Sequence, residues 1–159
     1  MAEHDPLRPH SHEPNPKPPT ADPTITLITP DGQQILVSAV MLRETYQATT
    51  ISNCYIVSTG HGTSGPFTFT GVPLLDVVQR YAERNGWSQV EVVSADGFGN
   101  RVLAAELYEP DAAGPILLAY ALDDALLSRE QGLVRMIVPS ERDDALRQVK
   151  WVSVVRMRP

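Results

Sequence analysis

The chain has 159 residues, 42% of them hydrophobic, and carries 13 Lys and Arg against 19 Asp and Glu for a formal charge of -6. That length supports one domain with a real core, and the acidic balance excludes a general attraction to nucleic acid or anionic lipid. A single cysteine, Cys54, excludes an intrachain disulfide and a thiolate-rich structural zinc site. Met1–Thr20 has no apolar run of the secretory kind, and no stretch approaches the roughly 18 apolar residues of a membrane span. The expectation is a cytoplasmic protein with neither membrane nor nucleic-acid partners.

Seven of the 14 prolines lie between Pro6 and Pro23, interleaved with polar residues and with three of the four histidines, His4, His10 and His12. A segment so poor in amide donors and apolar area does not order itself, so residues 1–23 are expected to be a flexible tail. The domain, 24–159, opens with a strand at Thr24–Thr29, a Pro30-Asp31-Gly32 turn and a return strand at Gln34–Val37. A short helix over Val40–Tyr46 and a strand over Ile51–Thr59 follow. Gly60-His61-Gly62-Thr63-Ser64-Gly65-Pro66 is too glycine-rich for a regular element and is expected to be a loop.

Leu74, Val77, Val78 and Tyr81 recur at helical spacing, with Pro73 at the entry and Gly86 as the stop, which predicts a helix over 74–85. Strands are expected at Gln89–Ser94 and Arg101–Leu103 about an Asp96-Gly97 turn, then at Ile116–Tyr120, Leu133–Val138 and Trp151–Met157. Many short strands with about three helices, and no regular β-α-β alternation, point to an α+β fold with mixed sheets or a partly closed barrel.

Several residues bear chemistry. Cys54, at a strand exit, fits a soft metal ligand or a small buried hydrophobe. His61, between two glycines, fits a ligand-contacting residue or an exposed loop histidine, and the amides around it can form an anion-binding nest. Arg135 and Lys150, each beside an apolar run, fit either snorkelling surface cations or a pair converging on a phosphate. Asp96 can serve as an acid or base, although Asp-Gly is foremost a turn signal. The glycine-rich segment lacks the Gly-Lys-Ser/Thr of a nucleotide-binding P-loop, and no Ser-His-Asp order points to a hydrolase.

Three blocks resemble, in order and spacing, the molybdopterin-binding domain of the sulfite-oxidase family. The first runs from Asn53-Cys54 to Phe69-Thr70-Gly71-Val72-Pro73-Leu74-Leu75-Asp76-Val77-Val78. It is similar to the family's cysteine segment and its Gly-Val-Pro-Leu helix entry. The second, Ser94-Ala95-Asp96-Gly97-Phe98, resembles a Ser-x-Asp-Gly-Tyr turn. The third joins Ile116–Tyr120, Gly132–Pro139 and Val149-Lys150-Trp151-Val152, similar to the family's Leu-Ala-Tyr strand, Gly-x-Pro-x-Arg run and terminal Lys-Trp-Val. The blocks cover about residues 50–157.

The resemblance implies a molybdopterin cofactor with molybdenum, Cys54 as catalytic sulfur and metal ligand, and Arg135 and Lys150 as cofactor-binding residues; His61, in the glycine-rich segment after Cys54, is expected to join them as a cofactor-binding residue. It implies an oxidoreductase working by two-electron oxygen-atom transfer or reduction. The sequence departs from the pattern at Val134, where the family has proline, and at Asp123-Asp124, where it often has Asn-Gly. With few residues before the cysteine block and no dimerisation or haem domain, a redox partner subunit is expected to complete the pocket. The alternative is a non-catalytic domain of the same fold that binds another small ligand or a protein.

Overall fold

Two five-stranded sheets and three short helices make up the described part of the chain. The computed structural model describes Asp22, residues 24–58, 62–139 and 149–159, with the backbone alone at 53–58 and 62–64. The expected tail, apart from Asp22, lies outside the described residues, as does His61.

The first sheet has the order β2 (Gln34–Val37), β1 (Ile25–Ile28), β10 (Val152–Arg158), β5 (Gln89–Ser94), β6 (Gly99–Leu103). β1 and β10 run parallel, with Thr26 opposite Val154; the other neighbours are antiparallel. The closing strand is thus the middle of this sheet. Gly97, at φ 93°, closes the β5–β6 turn, while Asp96 Oδ1 accepts the Phe98 N–H at 2.8 Å. Asp96 is a turn residue here, its carboxylate bonded to its own backbone.

The second sheet runs β3 (Thr49–Ser58), β4 (Gly62–Pro73), β7 (Leu117–Leu122), all antiparallel. The far edge of β7 is shared end to end: β9 (Arg135–Ile137) pairs with Leu117–Ala119, and β8 (Ala125–Leu126) with Ala121–Leu122. The loop expected over Gly60–Pro66 is therefore overturned from Gly62 onward. Those residues extend β4, pairing Gly62 with Ser58 and Ser64 with Ile56. The glycines are accommodated by irregularity, since the register slips on both sides of Cys54 and Gly65 adopts φ 124°.

Helix α2 (Leu74–Tyr81) is shorter than its expected span. Ala82 turns extended at φ -145°, and Arg84–Gly86 forms a separate 3-10 turn that leads into buried Trp87. The break lets Trp87 enter the core ahead of β5. Leu74, Val77 and Val78 are fully buried and Tyr81 packs against them, as the helical stripe requires. Helices α1 (Ala39–Thr45) and α3 (Ala104–Tyr108) add Leu42 and Leu107 to the same core.

That core lies between the sheets, joining Ile25, Val90, Val92 and Val155 of one to Val72, Leu118, Tyr120 and Met136 of the other. Alternation along Leu117–Tyr120 of β7 and along β9 sends Leu117, Ala119 and Ile137 to the opposite face, where they join Ile51 and Phe69 in a second, smaller cluster. Arg135, aligned with Ala119 and two residues before Ile137, shares that face. At Gly71 the strands β4 and β7 touch backbone to backbone. A Cβ there would collide with the Leu118 carbonyl and the Ala119 Cα, so the position admits only glycine.

Candidate functional site

Arg135 is 8% exposed, on a strand whose every residue is buried. Its guanidinium carbon lies 5.4 Å from the centroid of the Phe69 ring, a cation–π distance. Phe69 is itself buried and tilted against Phe67, with centroids 5.8 Å apart. A charged fork therefore rests on an aromatic floor at the small-cluster face of the second sheet.

The Lys150 stem meets the Arg135 stem 15 positions away in the sequence. The segment after Val149 is laced to the approach to β9: the Met136 N–H donates to the Val149 carbonyl at 2.8 Å, Trp151 N–H to Gly132 at 2.8 Å, and Val152 N–H to Val134 at 2.9 Å. Gly132 sits at the crossing. A Cβ added there would lie 3.0 Å from Arg135 Cγ and 3.0 Å from Lys150 Cβ, so both stems pack over this glycine. Lys150 Nζ lies 5.8 Å from the Trp151 ring. The structure thus brings two of the four sequence candidates, Arg135 and Lys150, against one residue.

Cys54 enters through its backbone. It pairs with Phe67, two residues along β4 from Phe69, a step of about 7 Å at the usual strand rise. Its side chain, and all of His61, lie outside the described residues. The sequence picked out neither Phe69 as the floor beneath Arg135 nor Gly132 as the crossing point. A glycine just before an apolar strand that carries an arginine was the available signal.

Residues 37–159 match the family described as "Oxidoreductase molybdopterin binding domain". This chain belongs to that family. The fold is similar to the crystal structure of the sulfane dehydrogenase SoxCD from Paracoccus pantotrophus, with a TM-score of 0.68 at 18% identity over 87% of this chain. This chain covers 38% of the matched chain of that structure. Among curated proteins none matches in sequence.

The structure accounts for two of the blocks in physical terms. The glycine of Gly-Val-Pro-Leu is Gly71, required by the contact between β4 and β7, and its proline caps α2 at φ -54°. The two-residue turn between β7 and β8 is Asp123-Asp124, with φ 50° and 71°. Two successive positive φ values are what Asn-Gly supplies at least cost. Here Asp123 Oδ1 accepts the Thr68 N–H at 3.1 Å, and the Asp123 N–H donates to the Thr68 carbonyl at 2.8 Å. The departure from the family pattern is thus accommodated within the turn itself.

Among the described residues no group of three or more His, Cys, Asp or Glu side chains is placed to hold a metal ion, and no helix is long and apolar enough to cross a membrane. The donor set near Gly132 is cationic and aromatic, suited to an anionic, ring-bearing ligand rather than to a bare cation.

Proposed function

We propose that this chain binds molybdopterin with molybdenum and acts as an oxidoreductase, with Arg135 and Lys150 holding the phosphate of the pterin. The observation that carries this is the packing of both cationic stems over Gly132, in a chain of the molybdopterin-binding family. Arginine offers a planar fork and lysine a mobile point charge, and together they can satisfy several phosphate oxygens by charge-assisted hydrogen bonds. Burial of Arg135 strengthens any such contact, because a low dielectric screens it less than water does.

Cys54 is the residue proposed to ligate molybdenum, its sulfur being the soft donor that such a metal accepts. Its register opposite Phe67, close to the aromatic floor, supports that role. His61 is proposed as a further cofactor contact. When bound, the cofactor would supply two-electron oxygen-atom transfer or reduction, while the protein binds it, orients it and sets the surrounding charge. A redox partner subunit belongs to the same proposal.

The test is metal and pterin analysis of the full chain produced in a host that makes the molybdenum cofactor. Molybdenum and pterin should co-purify with the unaltered chain. Cys54→Ala should lose molybdenum preferentially, and Lys150→Met should lose both together. An unaltered chain free of both from a competent host would overturn the proposal.

A further inference from the structure

Three backbone positions around the cation pair occupy the left-handed region: Gly132 at φ 108°, Leu133 at φ 56° and Trp151 at φ 50°. Glycine adopts such values freely, but a tryptophan does so only where its surroundings compel it. Trp151 is held by three bonds. Its indole Nε1–H donates to the Arg129 carbonyl at 2.7 Å. Its backbone N–H donates to the Gly132 carbonyl at 2.8 Å, and its carbonyl accepts the Ala95 N–H at 2.9 Å. Only the first of these belongs to the side chain. It ties the residue after Lys150 to the turn that leads into Arg135.

We infer that Trp151 is a positioning residue: its indole bond to Arg129 fixes the left-handed turn that sets Lys150 beside Arg135 across Gly132, presenting the cations as a preformed pair to one phosphate monoester. The inference rests on the reading that Arg135 and Lys150 bind the cofactor's phosphate, and adds the residue that fixes their separation. The physical need is clear. Lysine has a long rotatable stem, and an ammonium that must be ordered on binding loses affinity relative to one whose origin is already fixed. Gly132 leaves room for the approach, since Lys150 Cγ would lie only 3.1 Å from a Cβ there. Trp151, 4% exposed, supplies the anchor.

The experiment titrates inorganic phosphate into the cofactor-free full chain, following the amide resonances of Gly132 and Lys150, for the unaltered protein, Trp151→Phe, Lys150→Met, their double variant and Arg135→Met. Phenylalanine keeps an aromatic ring in the buried position and removes the N–H donor together with the pyrrole half of the indole. Trp151→Phe should weaken phosphate binding about tenfold, the effect of losing one well-placed charge-assisted contact. The same change in the Lys150→Met background should cost nothing further, because the residue acts through Lys150. A merely structural role moves both backgrounds equally, and that result, or no effect in either, overturns the inference while leaving the phosphate site standing. If Lys150→Met and Arg135→Met both leave phosphate binding intact, the underlying site reading fails and takes the inference with it. Should Trp151→Phe not fold, Trp151→Tyr replaces it in the same cycle. It removes the same indole N–H without altering either cation, and phosphate binding equal to that of the unaltered chain would count against the inference.

Discussion

Arg135 stacks over Phe69, guanidinium carbon to ring centroid 5.4 Å, and the two are brought together from strands β9 and β4, which do not pair with each other. β7 lies between them and contributes only Ala119 opposite Arg135, a side chain small enough to let the guanidinium cross to the ring. A double-mutant cycle of Phe69→Leu and Arg135→Met should therefore show a coupling of about 1 kcal/mol, the size of a partly desolvated cation–π pair. Phe69→Leu alone should cost more, about 2 kcal/mol, because it also leaves space in the small cluster. Chemical denaturation of the four proteins measures both, and additive losses would show that the stacking contributes nothing.

Gly71 tests the contact that holds β4 to β7. Because a Cβ would meet backbone on the Leu118–Ala119 side, no rotamer change can relieve the clash and the strands must separate. Gly71→Ala should destabilise by about 3 kcal/mol or prevent folding, whereas Gly86→Ala, with open space around it, should change stability by less than about 1 kcal/mol. Thermal unfolding of the pair separates a steric requirement from a general preference for glycine.

Much of this architecture is legible in the sequence, and the failures have causes. Val90 and Val92 alternate inward on β5, and Leu74, Val77 and Val78 line one face of α2, because period 2 and period 3.6 are local properties. Gly62–Pro66 reads as a loop because glycine and proline carry low strand propensity. Ten-residue β3 overrides that by offering a partner across an irregular register, which is a tertiary effect. The site shows the same division. Arg135 and Lys150 stand out as cations beside apolar runs, but their meeting over Gly132 depends on the hydrogen bonds that lace Val149–Val152 to Gly132–Met136, pairs of positions with no local signature.

Asp123-Asp124 gives a prediction in the stabilising direction. Both residues hold positive φ in a two-residue turn, and each non-glycine residue there costs about 1 kcal/mol. Asp124→Gly should raise stability by about 1 kcal/mol. Asp123→Asn should be close to neutral, since an amide oxygen can still accept the Thr68 N–H. Asp123→Ala should destabilise by removing that acceptor and keeping the strained backbone. Denaturation midpoints order the three variants, and a destabilised Asp124→Gly would contradict the account.

Tyr46 supplies a pH dependence with a definite sign. Burial pushes its phenol up to about 12; nearby Tyr81 adds to the shift, and Arg80, with its guanidinium carbon 5.8 Å from the Tyr46 ring, opposes it. In the unfolded chain the phenol titrates at about 10. Below that pH both states hold the proton and the group's full contribution is present. As pH rises from about 10 to about 12 the unfolded state releases its proton first, so stability falls with pH through this window and levels off above it. Tyr46→Phe removes the titration, and the difference in unfolding free energy between the two proteins should be flat at neutral pH and change only in the alkaline window. The phenol oxygen is buried and makes no hydrogen bond of good geometry among the described residues, so the substitution should cost little near neutrality. Urea unfolding at a series of pH values provides the difference curve, and an alkaline loss of the same size in Tyr46→Phe would assign the effect to another group.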